Sequence, residues 1–240
     1  MKLQAGVVLG LALAWWGAFP GTVDAQDVRT PALSTEGIDL KLPQDPRTME
    51  AIVSVQGRFS LLGGTVDSNI PAHYNDLFKP GLGVFAEGSL LWPLGPKWHL
   101  GPYLSVGWDS YDGKADTDSV GDTLEPDHLD MTTFLVGIRA TYDLGHRFSW
   151  ESHLGLGASH TSGVDGVLTS GGVPVDVKVF KASTAFAFDL GTRFAVEAGP
   201  VVFDAGIGVR IQGAPKNADF AFNSGSIVAF EVEFGVGLRF

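Results

Sequence analysis

Cysteine is absent from the 240 residues. That absence excludes a disulfide scaffold, a cysteine nucleophile, a cysteine zinc site and a lipid-modified N-terminal cysteine. Charged residues are also sparse, at 18% of the chain, and they comprise 16 Lys and Arg against 27 Asp and Glu. The resulting net charge of −11 makes nucleic acid an unfavourable partner, so none is expected. An apolar fraction of 45% is too high for a disordered chain.

A long uncharged apolar run lies near the start of the chain, at residues 7–19. It follows a positively charged start, and Ala25 supplies a small residue before a cut at Gln26. This order predicts a secretory signal peptide over residues 1–25. A membrane anchor is the alternative, but the run is shorter than the roughly 20 residues that a spanning helix needs. Residues 26–49 are polar and contain three prolines, which predicts a periplasmic N-terminal tail.

From residue 50 onwards, apolar and polar side chains alternate with a period of two, as they do in strands with two unlike faces. The alternating runs lie at 53–61, 82–92, 98–109, 133–142, 148–158, 186–196, 201–211 and 228–240. Short turns at 93–96, 143–146 and 197–200 alternate with loops of roughly a dozen to twenty residues. We therefore predict an all-β fold for residues 50–240, an antiparallel, eight-stranded, up-and-down transmembrane β-barrel.

The apolar face of these runs is almost free of charge, which decides which face meets lipid. Aromatic residues on that face gather near the short turns: Trp92, Trp98, Tyr142, Phe148, Trp150, Phe194, Phe203 and Phe240. Such a girdle is typical of a membrane interface. The opposite face mixes Gly, Ser, Thr and both signs of charge, which suits a narrow lumen. A soluble lipocalin-like barrel would instead place the apolar face inside. Short turns and both termini are therefore expected in the periplasm.

The last run ends in Gly-Val-Gly-Leu-Arg-Phe at residues 235–240. With this ending, residues 50–240 resemble the small bacterial outer-membrane barrels, such as the transmembrane domain of outer-membrane protein A. The resemblance implies an outer-membrane location and contact with outer-membrane lipid and lipopolysaccharide. It also implies that the barrel assembly machinery reads the final strand through Phe240. We expect a monomer without a cofactor.

Two enzyme families that are also eight-stranded outer-membrane barrels provide alternatives. His160-Thr161-Ser162, with Glu151 on the strand below, could form a hydrolytic set. It resembles the His-x-Ser of the lipid A deacylases, although Gly163 stands where that family has Asn.

The second alternative is a lipid A palmitoyltransferase. Asp109-Ser110 matches the Asp-Ser pair of that family, and residues 26–46 could form its N-terminal helix. Its catalytic His precedes an Arg-Phe by two residues, and Gln56 stands there before Arg58-Phe59. Gln cannot act as a general base, and His73 in the first loop is a poor substitute.

Two further patterns have ordinary explanations. The loop at Tyr111–Asp130 is strongly acidic and could attract Ca²⁺, but it lacks the full EF-hand pattern. Glycine pairs such as Gly206 with Gly208 lack the strand-to-helix turn of a nucleotide-binding loop. We expect a solvated surface loop and lumen-facing glycines, and therefore no metal, cofactor or catalytic site.

The lumen face predicts pairs of opposite charges. A turn centred on Gly145 places Arg139 opposite Glu151, and a turn at 197–200 places Arg193 opposite Asp204. Barrel closure should then bring Arg58 and Arg210 beside Glu231 and Glu233. These pairs predict a plugged lumen. The leading interpretation of function is a non-enzymatic barrel with a structural or surface-interaction role. Passage of small or hydrophobic solutes and lipid A modification remain the alternatives.

Overall fold

The computed structural model describes residues 49–67, 72–118, 120–220 and 224–240. The predicted signal peptide and N-terminal tail lie outside these residues, apart from Met49. In the described part of the chain, no helix is long and apolar enough to cross a membrane.

The described residues form strands, with a single short helix among them. In chain order the elements are β1 (Glu50–Gly63), β2 (Thr65–Asp67), β3 (Ala72–His73), α1 (Tyr74–Leu77), β4 (Gly81–Pro93), β5 (Trp98–Asp112), β6 (Asp116–Thr117), β7 (Thr123–Pro126), β8 (His128–Gly145), β9 (Phe148–Thr161), β10 (Val164–Ser170), β11 (Val173–Lys181), β12 (Ser183–Ala198), β13 (Val201–Gln212), β14 (Lys216–Asn217) and β15 (Ile227–Arg239).

Within the described residues, eight long strands close into the predicted antiparallel barrel. Its order is β1-β4-β5-β8-β9-β12-β13-β15, and β15 pairs with β1 to complete the ring. Closure pairs the backbone groups of the first and last barrel strands, and next to them Phe240 and Ala51 exchange two hydrogen bonds, of 2.9 and 3.1 Å. A closed ladder leaves no unpaired edge in lipid, where an unpaired N–H or C=O would cost several kcal/mol.

The predicted alternation assigned the two faces correctly. On β1, Val53 and Val55 point outward, while Gln56 and Arg58 are buried in the lumen. At the short-turn end, outward aromatic residues pack in pairs. The ring centroids of Trp98 and Tyr142 lie 4.8 Å apart, and the Trp150–Phe194 distance is 5.0 Å.

Both predicted cross-strand charge pairs are wrong by two residues. The β8–β9 turn consists of His146 and Arg147, whose φ angles are 54° and 74°, and it is not centred on Gly145. Positive φ at both central residues gives the turn whose twist matches a hairpin. Arg139 therefore lies opposite His153, and Thr141 lies opposite Glu151.

The β12–β13 hairpin shows the same error. Ala198 pairs with Val201, so the turn is only two residues long. This places Gly206 opposite Arg193 and Ala195 opposite Asp204. Because a shift of two residues is one full strand period, the predicted inward direction of these side chains still holds.

The long loops lie at the end opposite the short turns, as predicted, and their described residues contain further strands. Their strands build a second sheet in the order β14-β11-β10-β7-β6, and β2 pairs with β3. Below the sheet lies a buried cluster, the apolar cap, made of Leu62, Val66, Tyr74, Leu77, Phe78, Tyr111, Leu129, Met131, Val164, Val179, Phe180, Ile227 and Ala229.

The apolar cap joins the loops to the barrel. Leu62, Leu129 and Ile227 are inward-facing residues at the loop ends of their strands, whereas Tyr74 comes from α1. The Tyr74 hydroxyl donates a hydrogen bond of 3.1 Å to the carbonyl of Gly225, and burial raises the pKa of this phenol above its ordinary value. The cap therefore fills the loop-end mouth of the lumen with apolar side chains.

Candidate functional site

The lumen below the apolar cap is filled by charged side chains. Among the described residues it holds Arg58, Arg139, Arg193 and Arg210 together with Glu87, Asp109, Glu151, Asp189, Asp204, Glu231 and Glu233. Each of these residues is at most 9% exposed. They come from every strand of the barrel, so the network forms only when the barrel closes.

Glu87 is the hub of this network. Its carboxylate accepts hydrogen bonds from Arg193 Nη1 at 2.6 Å and Nη2 at 2.8 Å. It also accepts from Arg139 Nη2 at 2.5 Å and from Arg58 Nη2 at 3.2 Å. Three guanidinium groups therefore share one carboxylate, and the two-pronged contact with Arg193 is the geometry in which Arg binds carboxylates best.

Arg58 is the second hub, and it confirms the predicted pairing near β15. Arg58 lies 3.1 Å from both Glu231 and Glu233, and Arg210 lies 3.0 Å from Glu231. The guanidinium carbon of Arg58 also lies 3.8 Å above the ring of Phe85, close enough for a cation–π contact. Barrel closure thus brings the two glutamates to the cations that the sequence predicted.

Lumen glycines make room for these side chains. A Cβ at Gly83 would overlap the Asp109 carboxylate, and one at Gly235 would overlap the Gln56 amide. The glycines therefore act as spacers beside bulky polar groups, as predicted.

The carboxylates nearest the short turns are paired more loosely. Glu151 lies 3.9 Å from Arg139 and 3.8 Å from Arg239. Asp204 lies 4.0 Å from Arg193, which instead reaches up the lumen to Glu87. The network is therefore tightest in the middle of the barrel.

The model of the autotransporter beta-domain matches residues 79–207, which is more than half of the chain. The chain belongs to the autotransporter beta-domain family. It is an outer-membrane β-barrel, as the closed barrel and its apolar outer face also indicate.

Solved outer-membrane proteins resemble this autotransporter beta-domain barrel at low identity. The attachment invasion locus protein Ail of Yersinia pestis is 15% identical, over 80% of this chain and 99% of Ail, with a TM-score of 0.41. A major outer membrane protein from Thermus thermophilus is 16% identical, over 79% of this chain and 99% of that protein, with a TM-score of 0.42. The outer membrane protease OmpT from Escherichia coli is 8% identical, over 86% of this chain and 99% of OmpT, with a TM-score of 0.45. No curated protein matches the chain.

The candidate hydrolase residues of this beta-domain barrel are not brought together. His160 points outward, where its Nδ1 lies 3.0 Å from the hydroxyl of Thr184. The hydroxyl of Ser162 accepts a hydrogen bond of 3.1 Å from the backbone of Asp130. Glu151 lies inside the lumen near the other end of β9. The three groups therefore do not form a relay.

The transferase residues are also engaged elsewhere. Asp109 is fully buried and accepts a bond of 2.6 Å from Arg210. The Gln56 amide donates to Asp204 at 3.1 Å, which leaves it a structural role in the lumen. His73 lies 3.3 Å from the carbonyl of Gly64, in the loop next to α1. The predicted N-terminal helix lies outside the described residues.

The acidic loop is a surface feature of the beta-domain barrel. One Asp118 oxygen accepts backbone hydrogen bonds from Val120 at 2.8 Å and from Asp122 at 2.9 Å, which closes a local turn. Across the described ranges, no three His, Asp or Glu side chains are grouped so that they could hold a metal ion.

Proposed function

We propose that this outer-membrane barrel is non-enzymatic and that it serves a structural or surface-interaction role, with a lumen closed to solutes. The filled lumen carries the proposal. Arginine and carboxylate side chains meet across the middle of the barrel at distances down to 2.5 Å, and the apolar cap lies above them. Solutes would have to break both layers to pass.

The second sheet, β14-β11-β10-β7-β6, is called the loop sheet, and it is the part of the barrel that a partner at the cell surface would contact. Its β10–β11 hairpin turns at Gly171 and Gly172, and Val173 and Val175 on its tip are 62% and 53% exposed. Pro174 lies in the part of β11 that β14 does not cover, since β14 pairs only with Phe180 and Lys181. Because proline has no N–H, it disfavours nonspecific strand pairing at this edge. The side-chain face of the tip is therefore the proposed contact surface.

Conductance measurements separate this proposal from a pore. The purified, refolded protein should show no steady conductance in a planar bilayer, under conditions in which a bacterial porin conducts. Lipid A from cells with and without the protein should have the same mass spectrum. Steady channel activity would favour solute passage, and a shift by one acyl chain would favour a lipid A-modifying enzyme.

The surface role has its own test. Residues 167–176 are replaced by Asn-Gly, which keeps the Gly166–Val177 pair and suits a two-residue hairpin turn. Barrel folding should be unchanged, whereas attachment of expressing cells to one another and to a cultured-cell layer should fall. Unchanged attachment would contradict the surface-interaction role, and only the structural role would then be supported.

A further inference from the structure

A groove of about 450 Å³ lies on the lipid-facing surface of β1, β4, β5 and β8. Its floor contains Gly88 and Pro102, and its walls include Val53, Leu104 and Val136. Four of them form one register row, since Gly88 pairs with Val53 on one side and with Leu104 on the other, and Leu104 pairs with Val136. A Cβ at Gly88 would have no atom within 4 Å, so the space above this glycine is open.

The strand ladder is interrupted at the same place. The β4–β5 pairing runs from Leu82 to Ser89 and resumes at Trp92, so Leu90 and Leu91 are skipped in these fully described strands. Pro102, which would face Leu90, has no N–H to donate. The interruption therefore has a covalent cause, and a barrel strand rarely carries proline away from an edge or bulge.

A cation lies below the groove. Lys97 is exposed in the turn between β4 and β5, and its Nζ lies 5.8 Å from the centre of the Tyr142 ring. Tyr142 packs on Trp98, and both residues belong to the aromatic girdle. The strands that carry these two rings, β8 and β5, also form one wall of the groove.

The height of the groove in the membrane follows from the position of Gly88 on β4. Gly88 is about five residues above the short-turn end of β4, or roughly 16 Å along the strand, which a tilt of 35–45° reduces to about 12 Å of height. The apolar band of such a barrel is about 25 Å tall, and short turns face the periplasm. Gly88 therefore lies near mid-height of the band, where the end of an acyl chain from the periplasmic half of the bilayer can reach it.

We propose that the groove binds one phospholipid of the inner leaflet, with an acyl chain along Gly88 and Pro102 and the headgroup phosphate at Lys97. Charge complementarity identifies the headgroup, because a cation at the girdle attracts a lipid phosphate. The groove walls identify the chain, since their outward-facing residues are apolar side chains and glycine, whereas Ser89 and Tyr103 in the lining are buried towards the lumen. An unfilled groove would lose dispersion contacts on one side, and a seated chain restores them.

Native mass spectrometry of the detergent-folded barrel with phosphatidylglycerol tests the site. The wild type should retain one tightly bound lipid. Gly88→Leu fills the groove and should abolish that retention. The matched control is Gly57→Leu, since Gly57 also points outward and a Cβ there meets only the Phe234 carbonyl, at 3.8 Å.

The headgroup contact is tested separately. Lys97→Gln should weaken lipid retention about fivefold, because that is the affinity that one basic residue contributes near a lipid phosphate. Lys79→Gln, at an exposed lysine near the loop end, should change nothing. Equal retention in wild type and Gly88→Leu would overturn the proposal, as would displacement of phosphatidylglycerol by lipid A. Heat-dependent gel mobility of each variant confirms that the barrel has folded.

Discussion

Arg193 and Glu87 form a two-pronged ion pair across the full width of the barrel. They lie on β12 and β4, which are diametrically opposed in the ring of strands, and their paired atoms are 2.6 and 2.8 Å apart. A contact between opposite walls limits how far the barrel can widen. It also means that charged side chains meet across the lumen at mid-height and do not merely line its wall.

The first prediction concerns this hub. Glu87→Gln leaves three arginines short of a counter-charge in a buried site, and we expect a loss of stability of about 3–5 kcal/mol. The measurement is the urea midpoint of unfolding in lipid vesicles. The control is Glu125→Gln, at an exposed carboxylate of the loop sheet, which should leave the midpoint unchanged. A Glu87→Gln midpoint equal to wild type would show that the network contributes no stability.

The second prediction concerns the β8–β9 turn. Arg147 adopts a φ of 74°, which costs a non-glycine residue about 1–2 kcal/mol. Arg147→Gly should therefore stabilise the barrel by about 1 kcal/mol in the same unfolding experiment. Leu144→Gly is the control, because Leu144 is not among the residues with positive φ, and it should destabilise. A loss of stability in Arg147→Gly would mean that the Arg147 side chain matters more than its backbone.

The third prediction concerns the closed ladder. The purified protein should run at different apparent masses on a gel before and after boiling, because detergent does not open a barrel without an edge. A folded, monomeric protein obtained in water without detergent would contradict the membrane assignment.

The fourth prediction concerns Phe240. Its backbone pairs with Ala51, and its side chain is 72% exposed on the outer face. Deleting Phe240 should lower insertion into the outer membrane strongly, while folding of the purified chain into detergent changes little. Cell-surface levels and gel mobility measure the two effects, and Leu94→Ala, in a short turn, serves as the control. Normal surface levels of the deletion variant would show that assembly does not read this residue.

The sequence could predict which side chains share a face but not which ones face each other. Period-two alternation determines the direction of every residue, so the lumen positions of Arg139 and Glu151 follow from the pattern alone. Register depends on the turn. Gly145 was the obvious centre of the turn, but it pairs with Phe148, and the two turn residues are His146 and Arg147.

Contacts across the lumen also could not be predicted from the sequence. Neighbouring-strand reasoning pairs Arg193 with β13, whereas its long side chain reaches Glu87 on the opposite wall. The loop sheet was missed for a similar reason. Its strands come from three different loops. The β10–β11 hairpin is local, but β10 also pairs with β7 and β11 with β14, which lie in other loops.

Because of the apolar cap, the two ends of the barrel are stabilised by different forces, one in the membrane belt and one at the loop end. In the membrane belt, water is absent, and the hydrogen-bonded ring holds the strands together. The cap is buried in the loop end, which water surrounds, so its burial is driven by the hydrophobic effect and carries the heat-capacity signature of a soluble protein core. Urea weakens such burial directly. The loop end should therefore melt first, and protease should cut the β10–β11 hairpin at urea concentrations that leave the belt intact.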